Sequence, residues 1–141
     1  MAAVIHASGV FFDPDAFLAE GELEPSSVYR RGELFHAPGH PDNGHHAASG
    51  FDLVVSEADY REFPRQAEEA TAFLLANRDE FARLRDARGI ERLALDFEIT
   101  RHEIVVQGDA LPPSLAHLAD ELGLIIEFSH IPDGDEPGEA A

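Results

Sequence analysis

Apolar residues recur along this chain in blocks whose period alternates between two and three-to-four, and each change of period marks an element boundary. Residues 4–12 form a nearly unbroken apolar and β-branched run that predicts a strand, with Gly9 placed for a bulge. The run meets Asp13-Pro14-Asp15, and Gly21 follows Phe17 and Leu18. Asp13 suits an N-cap, Pro14 the first helical position and Gly21 the stop, which predicts a helix of about two turns that buries Phe17 and Leu18. After a turn at Glu24-Pro25-Ser26-Ser27, residues 28–31 predict a short strand. Residues 36–50 have no period and many breakers, and predict a long loop. Phe51, Leu53 and Val55 then share one face of a strand over 51–56.

The clearest helix is predicted over 64–88. Ala67, Ala70, Leu74, Asn77, Phe81 and Leu84 repeat at helical spacing with Phe73 beside them, and Arg83, Arg85 and Arg88 precede a stop at Gly89. Leu93, Leu95, Phe97 and Ile99 alternate with Ala94, Asp96, Glu98 and Thr100, the pattern of an antiparallel strand with one wet face. Residues 102–108 are its expected hairpin partner. Pro112-Pro113 opens a helix carrying Leu115, Leu118, Ala119 and Leu122, Gly123 closes it, and 124–131 form a last strand. The order βαββαββαβ contains two βαβ-like halves with the longest helix between them. The expected fold is α+β: a mixed or antiparallel sheet of about six strands, with three helices on one face. Residues 1–131 form one domain in this reading, and 132–141 an acidic, disordered tail.

Composition narrows the function classes. The chain has 141 residues with no cysteine, no tryptophan and a formal charge of −18, and all ten basic residues are arginine. Without cysteine there is no disulfide, thiolate metal site or thiol nucleophile. The charge argues against nucleic acid, whose phosphates need clustered cations, and against an anionic membrane surface. No apolar run approaches the ~18 residues of a membrane span, and residues 1–6 lack the positive n-region and apolar core of a signal peptide, so a cytoplasmic location is expected. Residues 1–70 and 71–141 each carry −9, which makes the acidity a property of the whole surface.

Several local signatures coincide with a known family. They are Ser8-Gly9 in the opening strand, Asp13-Pro14-Asp15 leading a short helix, Glu24-Pro25-Ser26 with Arg31-Gly32 after it, Gly50-Phe51-Asp52-Leu53, the Phe/Leu spine of the long helix, and a βαβ unit over 104–131. On these the chain resembles, over residues 4–131, the small bacterial proteins catalogued as domain of unknown function 4279. The resemblance implies a fold and supplies no catalytic residue. The chain departs from that pattern at Phe51, where an aromatic, often tryptophan, opens the third strand, and in its His-rich loop.

Two clusters carry candidate chemistry. His36, His40, His45 and His46 lie within eleven residues, and imidazole ligates Zn, Ni or Cu. Their irregular spacing, with Asp42 the only carboxylate close by, reads equally as a solvated polar loop, and no cofactor is expected. Asp96 and Glu98, two apart on a strand, share a face about 7 Å apart. Asp52 and Glu127 join them if their strands are neighbours. Such carboxylates serve acid/base chemistry or a hard cation in a pocket that also holds a histidine; otherwise they form a solvated docking face for a basic partner. Nucleophilic catalysis has little support: there is no Gly-x-Ser-x-Gly elbow, and Ser129 and His130 point to opposite faces. His6 and His130, inside strands, are expected to be satisfied by backbone. The reading favoured is a non-enzymatic protein-interaction module, in its most specific form an immunity-type protein that neutralises a basic toxin. The alternative is a small-ligand- or metal-binding enzyme that uses the open sheet face or the His-rich loop. A third reading is a homodimer paired through a sheet edge.

Overall fold

The computed structural model describes residues 3–34, 44–100 and 111–131. Five strands and four helices follow the order β1 (Ala3–Gly9), α1 (Pro14–Ala19), β2 (Ser27–Tyr29), β3 (Ser49–Ser56), α2 (Phe63–Ala76), α3 (Arg78–Arg85), β4 (Arg92–Thr100), α4 (Pro113–Leu122) and β5 (Ile125–Ile131). They build one mixed sheet of spatial order β2-β3-β1-β4-β5, antiparallel except for the β4–β5 pair. The α+β class is as expected. The count differs: five strands among the described residues against about six, because the expected strand at 102–108 lies outside them, as does the tail at 132–141. Among the described residues four helices replace three.

The additional helix comes from one residue. Asn77 leaves the helical region (φ −120°, ψ 29°), and its side-chain amide donates to the Phe73 carbonyl at 3.0 Å. The Asn77 backbone amide donates to the same carbonyl at 3.1 Å, so Asn77 caps α2 and the run predicted over 64–88 divides into α2 and α3. The apolar stripe survives the break, since Ala67, Ala70, Leu74, Phe81 and Leu84 are all buried. Gln66 is the polar member of the stripe. Its amide nitrogen donates to the carbonyls of Asp59 and Glu98, which ties α2 to the end of β4.

The two βαβ-like halves also differ. β4 and β5 are adjacent and parallel, whereas the expected second unit, over 104–131, opens with a strand that lies outside the described residues. β1 and β2 are both antiparallel to β3, which lies between them, so the first unit is split. α1 begins as expected, with the Asp13 carboxylate accepting from the Ala16 amide at 3.1 Å and Pro14 at the first position. Gly9 marks no bulge. A β-carbon there would lie 1.8 Å from the Gly89 carbonyl oxygen, and Gly89 itself has φ +88° with Phe11 and Phe12 backbone against it. The two glycines let the end of β1 cross the turn that leads into β4.

All four helices cover one face of the sheet. Ile5 and Ala7 of β1, Phe51 and Leu53 of β3, and Leu93 to Ile99 at alternate positions of β4 meet Phe17, Phe63, Leu74, Phe81, Leu84, Leu115 and Leu122 in one continuous core. Two aromatic groups anchor it: Phe12, Phe17 and Phe51 beneath α1, and Phe63, Phe97 and Phe128 beneath the start of α2. The opposite face of β4 is not the wet one that alternation predicts. Ala94, Asp96 and Thr100 are buried there too, because β4 is a central strand flanked by β1 and β5. Among the described residues, no helix is long and apolar enough to cross a membrane.

Candidate functional site

The face without helices carries a line of polar side chains, one from each strand. Ser27 on β2, Asp52 on β3, His6 on β1, Asp96 on β4 and Ser129 on β5 follow the spatial order of the sheet. Strand register makes the line. His6 sits directly opposite Asp52 and Asp52 opposite Ser27, whereas Asp96 and Ser129 are reached diagonally. The Ser27 hydroxyl donates to Asp52 Oδ2 at 3.0 Å, and His6 Nδ1 lies 2.7 Å from Asp52 Oδ1. On the other side His6 Nε2 is 3.5 Å from Asp96 Oδ2, and the Ser129 hydroxyl donates to both Asp96 oxygens at 2.9 and 2.8 Å.

The electrostatics follow from this geometry. The hydrogen bond to Asp52 raises the pKa of His6 above the ordinary histidine value. Burial opposes the rise, and the charges of Asp52 and Asp96 add to it. For Asp52 burial is the largest influence and pushes upward, but the hydrogen bond and charge of His6, with the Ser27 hydroxyl, outweigh it and hold the carboxyl below its usual range. His6 thus lies between two carboxylates that both favour its protonated form. Sequence reasoning assigned it a backbone partner instead.

The predicted acidic residues Asp52, Asp96, Glu98 and Glu127 do share the open face, but not as a uniform negative field. Glu127 forms a bidentate ion pair with Arg92, both contacts at 2.7 Å, which lowers its pKa. Glu98 is the exception. Burial raises its pKa, and the neighbouring Asp96 raises it further. Among the described residues, four carboxylates thus face two basic side chains, His6 and Arg92.

This constellation performs no triad chemistry. Both ring nitrogens of His6 are taken by carboxylates, so neither faces a serine hydroxyl, and the two hydroxyls themselves are given to Asp52 and Asp96. Nor does it form a metal centre. Asp52 and Asp96 stand on opposite sides of the imidazole, and among the described residues no three histidine or acidic side chains converge on one point. Of the predicted His cluster, His36 and His40 lie outside the described residues. His45 pairs by a single bridge with Leu34, and the His46 ring stacks on Tyr29 with centroids 4.7 Å apart. A cleft at the β2 edge joins His46 to Asp52, and neither Asp96 nor Glu98 lines it.

Ser27, Ser129, Arg92 and His6 complete the site and were missed as a group. For His6 a signal existed: with Val4 and Ser8 it occupies the face opposite Ile5 and Ala7. Compared with known proteins, the chain matches no family model, no curated protein and no solved structure.

Proposed function

We propose that this protein is a non-enzymatic interaction module whose open sheet face docks a basic protein, with neutralisation of a basic toxin as the specific form, and that it belongs with the domain of unknown function 4279 proteins. One observation carries the reading: a helix-free face on which, among the described residues, four carboxylates from three strands meet two basic side chains. Glu98 is the expected anchor point. Burial and Asp96 both disfavour its charge and outweigh the opposing charge of His6, so a cation delivered by a partner relieves the cost that remains. The −18 charge supports the same reading by steering a basic partner to the surface at high rate.

The test is recovery of the partner from the native host at low salt, using the wild type, a Glu98→Arg/Glu127→Arg variant and a control with Glu68→Arg on α2. Capture of a basic protein by the wild type and control, and its loss with the sheet-face variant, is expected. Equal capture by all three, or no basic protein at all, sinks the proposal. A second reading, self-association through the β5 edge, is favoured by Ile125 and Phe128, which are 59% and 42% exposed. Sedimentation that gives a 15.4 kDa monomer at high micromolar concentration removes it.

A further inference from the structure

At the β2 edge the open face ends in a cleft of about 630 Å³, within the size range of small-molecule sites. Its chemistry differs from that of the sheet centre. One wall is aromatic, the stacked rings of Tyr29 and His46, and beside it Leu34 is half exposed. The polar positions include Ser27 and two carboxylates, Asp52 and Glu33, and no arginine is among the described residues that line the space.

Both carboxylates belong to clusters with an excess of negative charge. Arg30 bonds Glu33 through its backbone amide and guanidinium, but it also holds Asp15 in a bidentate pair at 2.7 and 2.6 Å. His6 is likewise shared between Asp52 and Asp96. In each case two carboxylates share one cation, and in each case one of the two faces the cleft. The resulting potential reaches the aromatic wall, since the Tyr29 phenol is raised first by burial and then by the charge of Asp52. An anion is repelled from such a space. Among the described residues a bare metal ion finds no converging ligands, because Asp52 and Glu33 form no such group. An organic cation gains on three counts: residual carboxylate charge, aromatic faces that attract a cation, and an exposed leucine that receives an apolar stem.

We propose that this cleft binds an ammonium or guanidinium group carried on a short apolar stem. The proposal does not depend on the docking face. A free amine and a basic side chain of a protein share this chemistry, and the experiment separates them.

Amide resonances of ¹⁵N-labelled protein are followed during titration with agmatine, with the peptide acetyl-Gly-Arg-Gly-amide and with 3-phenylpropionate as an anionic control, all at constant ionic strength. Saturable shifts at residues 27–29, 33–34, 46–48 and 52, with a Kd between about 10 µM and 1 mM for one of the two cations, are expected. Tighter binding of agmatine identifies a free amine as the ligand; tighter binding of the peptide identifies a side chain. Asp52→Asn also cuts the link to His6, so Glu33→Gln and Leu34→Ser serve as independent variants, each expected to weaken binding at least about threefold. The proposal is overturned if neither cation saturates, if phenylpropionate binds equally, or if both independent variants bind as the wild type does.

Discussion

Replacing His6 by alanine removes the imidazole that lies between Asp52 and Asp96. The contact with Asp52 at 2.7 Å is a charge-assisted hydrogen bond of a half-buried pair, worth about 1.5–3 kcal/mol. Without the ring the two carboxylates face each other roughly 8 Å apart, a repulsion of about 2 kcal/mol at an effective dielectric of 20 that entering water reduces to about 1. The loss in His6→Ala is therefore about 3 kcal/mol, or about 10 °C in Tm for a domain of this size. Its pH dependence has a definite sign. The pKa of His6 is raised by folding, so its contribution is complete below the ordinary value of 6.5 and disappears as pH rises through the folded value. That of Asp52 is lowered, so its contribution is present above 3.8 and disappears as pH falls through the folded value. Urea unfolding followed by far-UV circular dichroism should thus show the largest gap between wild type and variant from about pH 4 to 6.5, and a smaller one in alkali. A gap below about 0.5 kcal/mol in that window, or one that grows with pH, would refute the shared imidazolium.

Three other substitutions check the fold around the site. Gly89→Ala should cost more than about 2 kcal/mol in chemical denaturation, because it adds a side chain at φ +88° and 2.7 Å from the Phe11 backbone; a neutral result would show that the β1–β4 crossing is loose. Asp13→Ala should cost about 1 kcal/mol through the lost cap on α1, with Asp13→Asn restoring most of it. Arg92→Ala should cost no more than about 1 kcal/mol despite its bidentate geometry, since its side chain is 46% exposed, and the loss should shrink in high salt. A salt-independent loss would mean that Arg92 contributes through packing instead.

Local pattern revealed which residues face the core, because burial obeys a period that neighbours along the chain express. Leu93, Leu95, Phe97 and Ile99 lie inside as their alternation requires, as do Leu115, Leu118, Ala119 and Leu122. The same period placed Asp52, Asp96, Glu98 and Glu127 on one face. Their partners were not legible, because these depend on strand order. His6 meets Asp52 and Asp96 only because β1 lies between β3 and β4, a neighbourhood made by contacts 46 and 90 positions apart in sequence. Alternation likewise cannot distinguish a central strand from an edge one, so the far face of β4 reads as wet although Asp96 is buried. The break at Asn77 lies in the backbone angles of a single residue, and an apolar stripe that continues past it conceals the break.

The central claim about the open face is that His6 lies between two carboxylates that favour its charged form. Its ring-proton titration by NMR, assigned by the signal missing from His6→Ala, measures that directly. A midpoint above the ordinary 6.5 that falls in Asp52→Asn is the predicted result, and a midpoint at or below 6.5 that does not respond to Asp52→Asn would contradict it.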